Sequence, residues 1–319
     1  MERNLPVELI LIEEIAEAAR YGTRFDYEDA ALEGSLEKRG ILFPLLLTRR
    51  LEEKAEVISG HRRLFYARRK PEKRVPVTFV EEEFSEKELF LLSLYSNWGQ
   101  TFAELDRMET LLKAEKVFSF DREEIRQEIC PALGIDEKGV SLEEYRGAGK
   151  LVCEIHGLIQ KKRLPFRGAS SLNRFSREEQ GLLARQVFEG MHLTTNQLLL
   201  LSEWIDDLKR ARKVSLETLL GEASFRKVLE NCKPDPRTRG ERFLRAVRTL
   251  RSPRLSEREE SFDRLKERAK LPEEIQLERP ESFEAEGILL RARLKNRESL
   301  VRLLRFLEDQ GPFLNSFLE

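Results

Sequence analysis

The residue types and spacing best suited to chemistry lie in Val57-Ile58-Ser59-Gly60-His61-Arg62-Arg63-Leu64-Phe65-Tyr66-Ala67. Two apolar β-formers lead into a glycine, and adjacent arginines then open a segment with helical spacing. The order predicts a strand that turns sharply into a helix. Glycine lets the backbone approach a ligand closely, and the first turn of a helix presents unpaired N–H groups at the positive end of its dipole. Guanidinium groups at that point suit a phosphate or another anion. Gly-His-Arg-Arg alone recurs by chance, so its weight rests on what surrounds it.

Composition bounds the remaining chemistry. The 319 residues suffice for two or three domains, each with its own core. Charged residues make up 36% of the chain, yet the formal net charge is −1, so any basic surface must be local. Cys130, Cys153 and Cys232 are far apart, odd in number and without metal-ligand spacing. They read as reduced thiols, and with His61, His156 and His192 as the only histidines no zinc site is expected. No apolar run of about eighteen residues appears, so no membrane span is expected. The N-terminus lacks the apolar core of a signal peptide, and the expected location is cytoplasmic.

Elements that would position the turn can be read on either side of it. Residues 5 to 12 form a short apolar run, a strand or extended entry. Asp26, in Arg24-Phe25-Asp26-Tyr27-Glu28, could cap a helix running through Leu32 and Leu36 to Arg39, where Gly40 ends it. Leu42 to Thr48 contains Pro44 and a leucine run short enough for a buried strand. A charged turn at Glu52-Glu53-Lys54 leads to Val57-Ile58, so the two strands pair as a hairpin. The helix of the turn runs to about Lys70. Val75-Pro76-Val77-Thr78-Phe79-Val80 is a further strand, and Ser85 caps a helix ending near Asn97.

This succession, from about residue 5 to 110, resembles the N-terminal domain of the ParB partition family within the ParB/sulfiredoxin superfamily. The matching pieces are Arg24-Phe25-Asp26, Gly40-Ile41-Leu42-Phe43-Pro44-Leu45, Ser59-Gly60-His61-Arg62-Arg63-Leu64 with Ala67, Val75-Pro76-Val77, and Ser96-Asn97 with Glu104 downstream. The resemblance implies loops that cradle cytidine triphosphate with a divalent ion such as Mg2+. It assigns Gly60, Arg62 and Arg63 to the phosphates, Gly40 and Pro44 to the nucleoside side, and Asn97 to the metal or a phosphate, with His61 of the same turn counted among the nucleotide-binding residues. The chain departs from the family at three points. His61 stands where the family often has Glu, Ser96 where it has Glu before the Asn, and Gln100 where it has Arg. Loss of a carboxylate removes one hard oxygen ligand, so binding is expected ahead of hydrolysis and no catalytic residue is assigned. Sulfiredoxin chemistry needs a cysteine in the turn, and Cys130 is the first in the chain. A small-molecule kinase of the superfamily has a similar Gly-His turn and stays open as an alternative.

From Phe102 to about Leu229 the signals are helical. Asp121-Arg122-Glu123-Glu124 is a capping box, Leu133-Gly134-Ile135 a turn, and Ser141 opens another helix. This is the outline of a helix-turn-helix, which the ParB family places here. Glu143 and Glu144 in the second helix would repel phosphates, and the alternative is a helical remnant kept for packing. Lys161, Lys162 and Arg163 form a basic cluster, either a phosphate contact or a solvated run. Trp204 reads as core.

Residues 233 to 254 hold eight basic residues against Asp235 and Glu241. Arg242, Arg245 and Arg248 fall three apart, with Phe243, Leu244, Val247 and Leu250 opposite, which makes an arginine-faced amphipathic helix suited to DNA phosphates. A solvated face on a docked helix is the alternative. Glu257 to Leu271 is a charged helix broken by Pro272. Ile275-Gln276-Leu277 and Gly287 to Lys295 read as strands, and a helix after Asn296 carries Leu300, Leu303, Leu304 and Leu307. Self-association would complete so small a core.

The expected fold is α+β, with a ParB-like nucleotide-binding domain over 1–100, a helical domain with a degenerate helix-turn-helix over 101–230, a basic linker over 231–272 and a ββα association module over 273–319. The expected function is a DNA-associated, homodimeric protein of the partition or transcription-regulator type that binds CTP or another nucleoside triphosphate with Mg2+ and hydrolyses it weakly if at all. A ParB-fold phosphotransferase and a non-catalytic protein-interaction regulator are the alternatives.

Overall fold

Alternation of side chains first shows in β1 (Glu8–Leu11), where Ile10 is buried and Leu9 is exposed. The computed structural model describes residues 6–49, 54–71, 73–80, 83–136, 139–231, 233–268, 275–278 and 289–315. Glu52 and Glu53 of the expected charged turn, Cys232 and the Pro272 helix break lie outside them.

After a 3-10 turn (Ile12–Glu14) come α1 (Ala30–Arg39), β2 (Leu45–Thr48), β3 (Glu56–Ser59), α2 (His61–Arg68) and β4 (Arg74–Phe79). The strand order is β1-β4-β2-β3. β2 and β3 pair antiparallel as the hairpin expected from sequence, β2 lies parallel to β4, and β1 closes the far edge antiparallel to β4. Leu45, Leu47, Val57, Val75 and Val77 bring one sheet face together with Ile10, Ile15 and Leu64 of α2. Ile58, the next residue after Val57 and therefore on the other face, is also buried, and α3 (Glu86–Tyr95) packs against β3. The Ser85 hydroxyl caps α3 by accepting from Glu88 N, as expected.

Two local expectations need correction. The cap of α1 is Asp29, whose Oδ1 accepts from Ala31 N and Leu32 N, whereas Asp26 Oδ1 accepts from Glu28 N in the preceding turn. The strand expected over Leu42–Thr48 begins only at Leu45. Leu42 and Phe43 are exposed in the loop, Pro44 has no N–H to give a ladder, and the carbonyls of Phe43 and Pro44 face a side chain instead.

Helices follow. α4 (Glu104–Lys116) precedes α5 (Arg122–Glu124), which continues through a π turn (Ile125–Ile129) into α6 (Cys130–Leu133). Gly134 ends that run in the left-handed region at φ 63°, and α7 (Leu142–Ala148) starts from a Ser141 cap. Then come α8 (Cys153–Gln160), α9 (Arg177–Leu183) with its own π turn (Ala184–Phe188), and α10 (Thr195–Arg212). The chain divides into two compact units. Residues 1–202 with 235–237 form the first. The second takes 203–234 and 238–319: the rest of α10, α11 (Leu216–Leu220), α12 (Ala223–Glu230), α13 (Pro236–Arg251) from Thr238 onward, α14 (Pro253–Arg268), the antiparallel pair β5 (Ile275–Glu278) and β6 (Leu289–Ala292), and α15 (Arg297–Asn315). No helix among the described residues is long and apolar enough to cross a membrane.

Candidate anion-binding site

β3 ends at Ser59, and Gly60 turns the chain at φ 104° into α2. An added Cβ at Gly60 would meet Leu45 Cδ2 at 2.5 Å and the Arg63 guanidinium at 3.0 Å, so the turn requires glycine by both conformation and space. Gly60 N-caps α2 without a side chain, and its carbonyl accepts from Leu64 N at 3.0 Å. The amides of His61, Arg62 and Arg63 are therefore first-turn donors with no intrahelical acceptor. Such a turn can hold an oxyanion.

Three loops distant in sequence attach to this turn. Arg63 Nη1 donates to Phe43 O and, at 2.9 Å, to Pro44 O, pinning the segment from Gly40 to Pro44 against it. Burial pushes the Arg63 pKa down from the usual guanidinium range. Ser96 Oγ, at the C-cap of α3, lies 2.8 Å from Ser59 Oγ and donates to Ser93 O at 2.7 Å. Asn97 Nδ2 also donates to Ser93 O, at 2.9 Å, which leaves its Oδ1 as the oxygen available to a cation or its water. The third loop is 24–29, where Asp29 Oδ2 accepts from Arg62 Nη1 at 2.9 Å and Tyr27 stacks on His61 with ring centres 5.9 Å apart. The Tyr66 hydroxyl donates to Asp29 O and accepts from Asp29 N.

His61 is held neutral. Burial, then Lys113 and Arg68, push its pKa down to about 3. Its Nε2 and Arg62 Nε are buried without a hydrogen-bond partner among the described residues. Burial, then Glu109 and Asp106, pushes the Tyr27 hydroxyl up to about 12. Lys113 Nζ donates to Gly22 O at 2.8 Å and Ala19 O at 3.1 Å, so the cation nearest this cluster in charge effect is itself anchored.

Asn97 and the two serine hydroxyls are neutral oxygens. A hard divalent ion here would draw its negative charge from a ligand's phosphates, and these residues fit it only in that company. Among the described residues no group of three or more His, Cys, Asp or Glu is placed to hold a metal ion.

Sequence reasoning missed Asp106. Its Oδ2 pairs with Arg24 Nη1 at 3.0 Å, and its Oδ1 accepts from Phe25 N at 2.8 Å. Arg24 also donates to Thr101 O and to Gln100 Oε1 and lies over the Phe102 ring. Gln100, the departure from the family pattern, thus serves to anchor Arg24. The same loop reaches α8, where Gln160 Nε2 donates to Asp26 Oδ2 at 2.5 Å and Phe25 meets His156 edge-on at 5.7 Å.

The expected DNA-contacting residues fall in separate units. Lys161 and Lys162 are exposed and Arg163 half-buried at the end of α8, with Lys162 at φ 56°. Arg242, Arg245 and Arg248 are exposed on α13, opposite the buried Phe243 and Val247. Glu144 accepts from Gly168 N and Glu143 pairs with Arg146 at 2.5 Å, so both acids of α7 are engaged internally. Trp204 is half-buried with Arg251 5.8 Å from its ring centre, a partial core position.

Among family models and among curated proteins, nothing matches the chain. It is similar to solved ParB structures. The C-terminally truncated chromosome-partitioning protein ParB from Caulobacter crescentus, complexed to the centromeric parS site, is 16% identical, with 61% of this chain and 98% of that chain covered at a TM-score of 0.36. The same protein complexed with CTP-gamma-S gives 17%, 57%, 98% and 0.27. A Pnob8-like ParB-N domain gives 14%, 78%, 98% and 0.37. At such scores the likenesses decide nothing about function, which rests on this chain's own residues.

Proposed function

We propose that the chain is a ParB-like, DNA-associated protein that binds a nucleoside triphosphate such as CTP, with Mg2+, at the Gly60 turn. The carrying observation is the turn itself: a glycine at φ 104° opening a helix whose first three residues are His61, Arg62 and Arg63. Attachment of the Gly40–Pro44 loop and of the Ser96–Asn97 helix end to that turn supports the reading, because these are the segments the sequence resemblance assigns to the same ligand. In this reading Gly60, Arg62 and Arg63 serve the phosphates, His61 belongs to the same nucleotide-binding turn, Gly40 and Pro44 bound the nucleoside, and Asn97 meets the metal or a phosphate. Lys161, Lys162 and Arg163, with Arg242, Arg245 and Arg248, contact DNA phosphates. The chain is a homodimer through the ββα module.

Titration of CTP, ATP and GTP, with and without Mg2+, against the wild type and Arg62→Ala tests the site. Loss of a charge-assisted contact should weaken the preferred nucleotide by roughly 10- to 100-fold. No binding of any nucleotide at millimolar concentration rejects the phosphate role of the turn.

A further inference from the structure

The two carboxylate oxygens of Asp29 do different work. Oδ1 caps α1 through Ala31 N at 3.1 Å and Leu32 N at 3.0 Å, and Oδ2 accepts from Arg62 Nη1 at 2.9 Å. Both side chains are about a third exposed, at 31% for Asp29 and 29% for Arg62. Arg63, the neighbouring guanidinium, is pinned to the Phe43 and Pro44 carbonyls. The positive charge best placed to meet an incoming anion is therefore already neutralised by a carboxylate from the same chain. Arg62 Nε nevertheless has no acceptor among the described residues, so Asp29 satisfies only part of the guanidinium.

From these contacts we infer that Asp29 is an intramolecular anion competing with the ligand for Arg62, a latch that the ligand must displace. The inference rests on the anion-binding reading of the turn. A triphosphate brought to the first turn of α2 would place like charge against Asp29, and the Nη1 proton that Asp29 holds is withheld from the ligand while the pair stands. Phosphate offers more acceptor oxygens than one carboxylate, so it can engage more of the guanidinium's N–H groups than Asp29 does. The latch sets the affinity lower than the turn alone would give. It also ties occupancy of the site to the N-terminus of α1, because the displaced residue is that helix's cap.

The test separates the charge of Asp29 from its capping. Asparagine and serine are both good N-caps, so Asp29→Asn and Asp29→Ser keep α1 while removing the competing charge. Binding of inorganic triphosphate and of CTP with Mg2+ is measured by calorimetry for the wild type, both variants, Arg62→Gln, and the Asp29→Asn/Arg62→Gln double variant. Both Asp29 variants are expected to bind roughly three- to tenfold tighter than wild type, with the gain absent in the Arg62→Gln background. Unchanged or weaker binding by both variants, with the wild type still binding, overturns the latch alone. The same gain persisting without Arg62 also overturns it, since the carboxylate would then act through its general field. If no protein in the set binds either probe, the latch and the nucleotide reading fall together.

Discussion

Arg24 and Asp106, 82 positions apart in sequence, form an ion pair 3.0 Å long with side chains only 7% and 10% exposed. It joins the loop that carries Asp29 to the first turn of α4. Asp106 further accepts from Phe25 N and Ala103 N, so its carboxylate organises both ends of the contact. Removing one partner strands the other charge in a dry site. Arg24→Met should lower unfolding free energy by about 3 kcal/mol, read as a shift of the denaturant midpoint at unchanged m-value.

Gly60 and Gly34 should respond to alanine with opposite signs. At Gly60 the φ of 104° strains any L side chain and the new Cβ lies 2.5 Å from Leu45 Cδ2. Gly60→Ala is expected to cost about 1–3 kcal/mol and to weaken nucleotide binding. Gly34 lies inside α1 with nothing near its Cβ position. Gly34→Ala should add about 0.5–1 kcal/mol. Paired thermal melts and nucleotide titrations check both.

These contrasts show what the sequence carries. The β2–β3 hairpin, the Gly60 turn and the Ser85 cap were legible because each depends on neighbours within a few residues. The capping of α1 was read one turn early, since Asp26 and Asp29 both precede a helical pattern and only the fold decides which carboxylate faces the amides. Asp26 is held instead by Gln160 of α8. Arg24 stood out, but its partner Asp106 lies inside an ordinary amphipathic helix, and such a distant pairing leaves no periodic trace. The engagement of Arg62 by Asp29 was invisible for the same reason.

His61 predicts a pH dependence of defined sign. Its folded pKa of about 3 lies below the unfolded value near 6.5, so the unfolded chain binds more protons between them. The stability from keeping this imidazole neutral is complete above about pH 6.5 and is lost as pH falls toward 3. The wild type should therefore lose stability on acidification faster than His61→Gln, by up to about 1 kcal/mol per pH unit inside that window. Denaturant unfolding of both proteins at several pH values between 4 and 7 measures the difference. A constant gap across the range contradicts a buried neutral imidazole.

α15 carries an apolar stripe that the described residues of its own module leave exposed. Leu300, Leu304 and Leu307 are 42%, 51% and 37% exposed, while Phe306 and Ser299 are buried. The spacing places the three leucines on one helix face. For the proposed homodimer this stripe is the natural seam. Leu304→Asp removes two leucines from a symmetric interface, and at about 1.5 kcal/mol or more each the dissociation constant should rise at least roughly hundredfold. Sedimentation equilibrium of the full chain reads it directly, and an unchanged dimer would place the seam elsewhere.

α13 supplies the sharpest test of the DNA reading. Phe243 and Val247 are fully buried and hold one face of the helix, so Arg242 and Arg245 on the opposite, exposed face can be changed without touching the core. If both arginines neutralise phosphates, duplex affinity falls steeply with salt, and each lost contact removes about 0.9 from the slope of log affinity against log salt. Arg242→Gln/Arg245→Gln should then flatten that slope by about two while the melting temperature stays near wild type. Fluorescence anisotropy with duplexes of differing sequence, between about 50 and about 200 mM salt, gives the slopes. Equal weakening on every duplex identifies backbone contacts. A duplex affinity that ignores salt, or no affinity at the lowest salt, removes α13 from any role at DNA.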